Sequence, residues 1–276
     1  RGRAISNVVI GGAVGSVLGP LLVGPSGEWA ARAGLNELVG PYLVTILILA
    51  LAALVVLIWL RPNPRDIGRK IAKKHPEPTL HQGPSRATST ILRTPSAMVA
   101  VLAMALGQMV MVMIMVVTSL HMKGHGHTLG GISVVISAHA LGMFAFSFLS
   151  GHLADRWGRG PVILTGAGLL VLASLLAPLS PGLFPLSFAL FLVGLGWNFC
   201  FVGGSTLLSD QLSPAERART QGTNDLLIGL ATATVSLLSG VIFASMGYTA
   251  MGILGAVVSL GLAGVTGWWL LSGRCA

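Results

Sequence analysis

His139 is the ionisable residue that lies nearest the middle of a long apolar segment, within SAHALG. A histidine changes charge near neutral pH, and an ionisable group at bilayer depth is costly unless it serves a function. His139 could therefore carry a coupling proton or bond a substrate; the alternative is a neutral imidazole that bonds two helices together. No Asp or Glu has a comparable central position. Asp225, beside Asn224, lies near the start of an apolar segment, where we expect a capping or gating contact.

Three further histidines, His121, His125 and His127, lie within HMKGHGH. Their spacing suggests a metal site, but zinc usually takes four ligands, and neither a cysteine nor a carboxylate lies nearby. Lys123 would also repel a cation. We therefore predict exposed imidazoles in an outer loop, with no metal and no cofactor. An intramembrane metalloenzyme built on histidines is the least favoured function.

The decapeptide GHLADRWGRG, residues 151–160, concentrates charge and glycine in an otherwise apolar sequence. Its glycines suit a tight turn between two helices, because glycine adopts backbone angles that other residues avoid. We expect the two arginines to hold this turn at the inner membrane surface. We expect the acid to satisfy amide groups at the start of the following helix. The residues are Gly151, Asp155, Arg156, Gly158, Arg159 and Gly160.

The composition excludes an ordinary soluble protein. Hydrophobic residues make up 53% of the 276 residues and charged residues 9%, whereas soluble domains carry about 25% charged residues. The net charge of +9 does not indicate nucleic-acid binding, since the basic residues lie between apolar segments rather than on one patch. The two cysteines, Cys200 and Cys275, predict no structural disulfide.

Eight apolar segments are long enough to cross about 30 Å of hydrocarbon as helices. If the amino terminus lies inside, all but two of the 17 basic residues fall on the inner side, the exceptions being Arg32 and Lys123. Since Lys and Arg favour the cytoplasmic side, the sequence predicts an all-α, multi-pass membrane protein with both ends cytoplasmic. The segments are residues 5–24, 38–60, 97–120, 130–150, 161–179, 184–206, 222–244 and 248–271.

A long basic loop divides these segments. Residues 61–96 separate a two-span piece, residues 1–60, from a six-span piece, residues 97–276. The loop is interpreted as a solvated linker or as a short helix on the inner leaflet. RGRAISN and RARTQGTND, which precede the first and seventh spans, both contain Arg-x-Arg and a later Asn, which favours two related halves. No signal peptide is visible, and we expect the sequence to begin partway through a longer protein.

The charged decapeptide has a family resemblance. Gly151-x-Leu153-Ala154-Asp155-Arg156-x-Gly158-Arg159 resembles the signature loop of the major facilitator superfamily of secondary transporters. In that family the loop lies between the second and third spans of a six-span half, and here it lies at the corresponding place in the six-span piece. The sequence departs from the pattern at Gly160, where another basic residue is usual.

A second stretch, GGAVGSVLGPLLVG at residues 11–24, places three glycines four residues apart on one helix face. Such spacing lets a neighbouring helix approach closely. Its proline cannot donate to the carbonyl of Ser16 and should bend the helix. The stretch resembles a motif in the fifth span of the family's proton-coupled exporters, with a departure at Val23. The residues of this packing motif are Gly11, Gly15, Gly19, Pro20 and Gly24.

The resemblance implies twelve spans in two six-helix bundles around a cavity that opens alternately to each side. This sequence would hold the last two spans of the first bundle and the complete second bundle. The third and sixth spans resemble cavity-lining helices of the family, so Gln108, Trp197 and Asn198 become candidate substrate or proton residues. Bonding between helices is the alternative for each of them.

Contacts at the inner surface are expected to control the transport cycle. By the family's internal symmetry, Asp155 would meet the inner end of the first span near Ser6 and Asn7 and latch one conformation. In SPAERARTQG, Ser213 can cap a helix, and Glu216 completes a capping box. This second feature is expected to be structural.

The function that these features favour is proton-coupled efflux of a hydrophobic or drug-like compound. The alternatives are a nutrient importer or uniporter of the same fold, and a truncated fragment that does not transport by itself. We expect no enzymatic activity and no nucleic-acid partner. The expected partners are a small-molecule substrate, the proton and membrane lipid. We expect the protein to be a monomer in a bacterial inner membrane.

Overall fold

The computed structural model describes residues 2–61 and 86–273, without the side chains of residues 2–10 and Pro214. Most of the predicted central loop lies outside the described residues, as do the side chains of Ser6 and Asn7, the expected partners of Asp155. The described part is helical and contains no β-strand. Its helices are α1 (Gly2–Leu21), α2 (Val23–Arg32), α3 (Val39–Trp59), α4 (Thr88–Leu92), α5 (Pro95–Gly124), α6 (Leu129–Phe144), α7 (Ser147–Trp157), α8 (Arg159–Leu176), α9 (Leu183–Asp210) and α10 (Pro214–Leu271).

Six helical stretches among the described residues are long and apolar enough to cross a membrane. The all-helical prediction is confirmed for the described residues, and these stretches are consistent with a membrane protein, although the eight predicted segments are not recovered one for one. Helix α1 is not among the six stretches, and the last two predicted segments share α10. The six stretches are Val39–Trp59, Pro95–Gly124, Leu129–Trp157, Arg159–Leu179, Leu183–Asp210 and Ala215–Leu271.

Helix α10 is interrupted at Gly247. This residue has φ 76° and ψ −176°, which lies outside the helical region and favours glycine because it lacks a Cβ. The helix therefore consists of two rods that meet between the predicted segments 222–244 and 248–271. The two rods correspond to the seventh and eighth predicted segments.

Most of the core is formed by α5, α6, α8, α9 and α10. Helix α9 is central, since it packs against α5, α6, α7 and α8. Helix α10 packs on α5 and α8. The fully buried large side chains include Met104, Ile114, Leu170, Leu190 and Met251. Helix α1 belongs to the same compact unit and lies against α6.

Close backbone contact fixes the crossing of α8 and α9. A Cβ placed on Gly166 would lie 2.8 Å from the backbone nitrogen of Cys200 and 2.8 Å from the carbonyl oxygen of Gly196. Real Cβ atoms do not approach backbone so closely, so this crossing requires glycine at position 166. Small residues allow the same kind of approach between helices in membranes generally.

The described residues of a second compact unit, 22–61, contain α2 and α3. These two helices pack closely where Gly40 faces the backbone of Ser26 and Gly27, with no room for a Cβ on Gly40. Along α3 the large apolar side chains are exposed, including Leu47 and Trp59. This distribution suits a helix that faces lipid, because apolar side chains need no further cover there.

The glycine face predicted to receive a neighbouring helix is open in the described structure. A Cβ added to Gly11, Gly15 or Gly19 would meet no atom within 4 Å. The packing role of these three residues therefore stays a prediction. Gly24 is buried within α2, and α1 ends one residue after Pro20. The position of Pro20 agrees with its inability to continue helical hydrogen bonding.

Candidate substrate and gating sites

The side chains of Gln108 and Trp197 form a direct hydrogen bond between α5 and α9. The indole Nε1–H of Trp197 donates to Oε1 of Gln108 over 2.6 Å. Both side chains are half-buried and lie near the middle of their helices. Two of the four candidate substrate residues are thus brought together from positions 89 residues apart in the sequence.

Two phenylalanines extend this pair into an aromatic surface. The rings of Trp197 and Phe201 are stacked, with centroids 5.0 Å apart and planes inclined by 19°. Phe144 at the end of α6 meets Trp197 edge to face, with centroids 6.3 Å apart. Phe144 is 37% exposed and Phe201 is 36% exposed. We call Phe144, Trp197 and Phe201 the aromatic shelf. Sequence reasoning missed both phenylalanines, although the four-residue spacing of Trp197 and Phe201 places them on one helix face.

His139 lies elsewhere, in the contact between α6 and α9. Its side chain is 3% exposed, and its Nδ1–H donates to the carbonyl oxygen of Leu190 over 2.9 Å. The two helices approach closely nearby, since a Cβ on Gly194 would lie 2.9 Å from the backbone nitrogen of Met143. The geometry is that of an imidazole bonding two helices, which is the alternative to a coupling role. Its part in proton transfer stays a prediction.

Asn198 holds the break between α6 and α7. Its Nδ2 donates to the carbonyl oxygen of Met143 over 2.7 Å and to the hydroxyl of Ser147 over 2.8 Å. Its Oδ1 accepts from the hydroxyl of Ser150 over 2.6 Å. The side chain is 2% exposed, so its hydrogen-bonding capacity is used within the protein. Asn198 therefore neighbours Trp197 in the sequence but does not share its surroundings.

The charged decapeptide turns at one residue rather than over ten. Gly158, with φ 92° and ψ 164°, separates α7 from α8, whereas Gly151 and Gly160 are helical. The expectation that all three glycines adopt unusual backbone angles is therefore wrong. Gly160 serves close packing, because a Cβ there would lie 2.5 Å from Leu270. The fourth span accordingly continues to Trp157 rather than ending at residue 150.

Arg159 is the centre of the charged contacts at this turn. Its Nε donates to the carboxylate of Asp210 over 2.8 Å, and its Nη1 donates to the carbonyl oxygen of Ala154 over 3.0 Å. Asp155 lies 3.7 Å from Nη2 of Arg159 and is exposed. Asp155 does not cap α8, which has no side-chain cap, so that expectation is wrong. Arg156 is exposed.

Asp210 was not singled out by its local sequence, because an acid at the end of a membrane helix is unremarkable there. Only the packing of α9 against α8 brings it to Arg159. Two carboxylates thus lie near the Arg159 guanidinium, and the shorter contact is made by Asp210, which comes from the end of α9. Such a cluster can change partners when the helices that carry it move.

Asn224 and Asp225 face in different directions from α10. Asn224 is fully buried, and its Nδ2 lies 3.7 Å from the sulfur of Met104 in α5. Its Oδ1 has no hydrogen-bond partner within the described part of the chain. Asp225 is exposed. Because α10 already begins at Pro214, neither residue caps this helix. A gating contact therefore remains the predicted role for both residues.

The capping box at the start of α10 is confirmed. Ser213 and Glu216 satisfy one another's backbone amides, as the sequence predicts. The structure adds a partner that sequence reasoning missed: Arg86, which precedes α4, meets Glu216 through its side chain and its backbone amide. The hydrogen bonds that the Arg86 guanidinium donates to the Glu216 carboxylate raise the pKa of Arg86 above its ordinary value.

The three histidines between residues 121 and 127 contact several different groups, and the ring centroids of His121 and His125 lie 4.4 Å apart. His125 bonds the carbonyl oxygen of His121 over 2.8 Å, and His127 bonds that of Pro181 over 2.8 Å. His121 stacks on Tyr248, with ring centroids 4.3 Å apart. Within residues 2–61 and 86–273, no group of three or more His, Cys, Asp or Glu side chains is placed to hold a metal ion.

The comparison with known families agrees with the apolar helices of this chain and with its turn at residues 151–159. The sequence model of the Major Facilitator Superfamily matches residues 101–274. The chain belongs to the major facilitator superfamily. It is accordingly an integral, multi-pass membrane protein of a transporter family, as its loop at residues 151–159 predicts. Proteins of this superfamily bind small-molecule substrates.

Similar superfamily members come from several bacteria. The uncharacterized MFS-type transporter YdeG of Bacillus subtilis is 38% identical over 97% of this chain and 63% of its own length. The riboflavin transporter RfnT of Brucella anthropi is 31% identical over 90% of this chain and 59% of its own length. The multidrug resistance protein MdtL of Escherichia coli is 34% identical over only 32% of this chain and 22% of its own length.

The chain spans about six-tenths of the length of the superfamily relatives that match along most of it. No solved structure gives a significant match. Membership of the superfamily therefore rests on sequence similarity.

Proposed function

We propose that this chain forms the greater part of a secondary active transporter that moves a small molecule across the membrane by alternating access, without catalysing a reaction. One observation carries the proposal: the Gln108 amide and the aromatic shelf meet near the middle of two apolar helices in a member of a transporter superfamily. Polar groups at that depth are costly and usually serve binding or transport. The cargo would lie against this surface.

The proposed architecture has eight spans, the last two of a first six-helix bundle followed by a complete second bundle. Residues 1–60 would supply the first pair, 61–96 the cytoplasmic linker and 97–276 the second bundle. The break at Gly247 supports this count, because it divides α10 into two rods of spanning length. We propose a monomer in a bacterial plasma membrane with both ends cytoplasmic, since the relatives described above are bacterial and the basic residues favour that orientation.

Efflux of a hydrophobic or drug-like compound, coupled to protons, is the mode that the exporter-type motif at residues 11–24 favours. The partial similarity to MdtL agrees with it. Transport of a vitamin-like nutrient is the second candidate, and similarity to RfnT over 90% of the chain favours it. Both candidates take an aromatic cargo to the same shelf, and they differ in the direction of net movement.

The coupled proton has few possible carriers in the described spans. No Asp or Glu lies near the middle of α5, α6, α8 or α9. His139 is the buried titratable candidate, but its Nδ1–H is bonded to a backbone carbonyl. We propose that His139 joins α6 to α9 and that the coupling group lies outside the described residues. Transport by His139→Asn should then still depend on the proton gradient. If this variant transports but no longer responds to the gradient, His139 is the coupling residue.

The test uses sealed vesicles that contain the protein expressed with any sequence encoded upstream of Arg1, and lumiflavin and ethidium as aromatic probes. Probe movement driven by an imposed pH gradient, and proton movement on addition of a probe, are the expected results. The sign of the flux separates efflux from uptake. Facilitated probe movement that ignores the gradient would contradict proton coupling, and absence of facilitated movement would contradict transport of these cargos.

A further inference from the structure

We propose that the cargo is a flat, uncharged heteroaromatic compound whose ring edge carries hydrogen-bond acceptors, such as carbonyl oxygens or ring nitrogens. This inference rests on the proposed function and specifies the substrate class for the same site. It follows from the orientation of one amide, the geometry of the aromatic shelf and the distribution of charge on the helices that carry them.

The orientation of the Gln108 amide is set by its partner. An indole nitrogen can only donate a hydrogen bond, so the group that receives it must be the amide oxygen. The Trp197 Nε1–H donates to Oε1 of Gln108 over 2.6 Å. The amide nitrogen must then lie on the other side of the same planar group. Among the described residues, the bond accepted from Trp197 is the one hydrogen bond that the Gln108 side chain makes, so both N–H donors of the amide remain for a ligand.

The shelf supplies a flat apolar surface beside those donors. Trp197 and Phe201 are nearly parallel, and Phe144 closes one side with an edge-to-face contact. Phe144 and Phe201 are each more than one-third exposed, although both lie on helices of spanning length. A planar ring can stack on such a surface, and aromatic pairs in this geometry are favourable beyond their buried area. A flat cargo therefore suits the shelf better than a globular one.

The charge distribution favours a neutral cargo. Helices α5 and α6 contain no Asp or Glu, and the only acid of α9 is Asp210 at its end, bonded to Arg159. Within α5, α6 and α9, an organic cation on the shelf would find no counter-charge near it, and a carboxylate would find no Lys or Arg beside it, so either would lose hydration without compensation from these helices. The two donors of Gln108 instead select the neutral acceptors that carbonyls and ring nitrogens provide.

Binding to the purified full chain in lipid nanodiscs tests this assignment. Lumiflavin is the flat neutral probe with an acceptor edge, and ethidium is the flat cationic probe. Equilibrium dialysis measures both, with empty nanodiscs correcting for partition into lipid. Lumiflavin should bind more tightly than ethidium. Gln108→Leu should weaken lumiflavin binding about tenfold, the effect of losing one hydrogen bond. Gln221→Leu, which removes a half-buried amide from α10, should leave it unchanged.

A second variant keeps the test decisive if Gln108→Leu disturbs folding. Gln108→Glu places a negative charge beside the shelf, so lumiflavin should bind more weakly and ethidium more tightly. Misfolding cannot produce that gain for the cation. Stronger ethidium than lumiflavin binding by the unaltered protein, lack of binding of either probe, or unchanged lumiflavin affinity in folded Gln108→Leu would overturn the assignment.

Equilibrium binding also separates this inference from the proposed function. Selective lumiflavin binding without gradient-driven flux would contradict transport and leave the assigned ligand chemistry standing. Gradient-driven flux of ethidium that is unchanged by substitution of Gln108 would contradict the assigned ligand chemistry but would support transport.

Discussion

The guanidinium of Arg86 and the carboxylate of Glu216 are joined by two parallel hydrogen bonds. Nε donates to Oε1 and Nη2 donates to Oε2, each over 3.0 Å. Such two-point pairing fixes both side chains more strictly than a single contact does. Glu216 also accepts hydrogen bonds from the backbone amides of Ser213 and Arg86, and its side chain is only 3% exposed. The start of α10 is therefore tied to the residue that precedes α4.

Glu216→Gln should lower the melting temperature, because the amide retains the shape of the carboxylate but cannot accept at both positions. Glu28→Gln is the matched control, since Glu28 and Arg32 form an exposed ion pair of 3.3 Å. Melting followed by circular dichroism in detergent measures both variants. A loss no larger than that of Glu28→Gln would contradict a stabilising role for the pair.

The stability difference between Glu216→Gln and the unaltered protein should not shrink between pH 7 and pH 10. The hydrogen bonds that Arg86 donates to the Glu216 carboxylate raise the folded-state pKa of Arg86 above its ordinary value. A raised pKa gives stability that is present below the unfolded-state pKa and is lost only as the pH rises through the folded-state pKa. Melting temperatures across this range test the statement, and a difference that disappears by pH 10 would contradict it.

Asp155→Asn should leave stability unchanged and abolish transport. In the described structure Asp155 is exposed and reaches only Arg159, at 3.7 Å, and exposed pairs contribute about 0–1 kcal/mol. We expect Asp155 to contribute in another conformation of the cycle, in which it would latch the inner end of the first span. Glu28→Gln is again the control, as an acid in an exposed i, i+4 pair. Normal transport by Asp155→Asn would rule the latch out.

Gly158→Ala should destabilise the protein by about 1–3 kcal/mol, the usual cost of holding a side chain in sparsely populated backbone regions. Gly158 has φ 92° and ψ 164°. Gly151→Ala is the control from the same loop, because Gly151 is helical and a Cβ there would meet no atom within 4 Å. Denaturant unfolding in mixed micelles measures both. Equal effects of the two substitutions would contradict the single-residue turn.

Asn198→Leu and Asn224→Leu should differ sharply in stability. The first leaves the half-buried Met143 carbonyl and Ser147 hydroxyl without the Asn198 amide, while the Ser150 hydroxyl keeps only its contact with the Ser147 carbonyl; a group left unsatisfied away from water costs about 1–3 kcal/mol. The second removes only a 3.7 Å contact with the Met104 sulfur and an oxygen that has no described partner. We expect Asn224→Leu to be near neutral. A comparable loss in both variants, measured by unfolding in micelles, would show that Asn224 has a partner outside the described residues.

The membrane class and most span positions follow from local sequence, because hydrocarbon thickness sets helix length and lipid selects apolar side chains. The capping box of Ser213 and Glu216 is equally local, since its partners lie three residues apart. The signature at residues 151–159 is also a local feature. Its glycine at position 158 is needed because the backbone has a positive φ where α7 ends and α8 begins.

Other roles depend on residues that meet only in three dimensions. Gly158 and Gly160 are two residues apart and chemically identical, yet one permits a backbone angle and the other makes room for Leu270 of a distant helix. Trp197 and Asn198 are adjacent, but successive helix positions point about 100° apart, so one joins Gln108 and the other holds α6 and α7. Local sequence determines where each side chain points relative to its own helix, and only the packing of the helices determines what it meets.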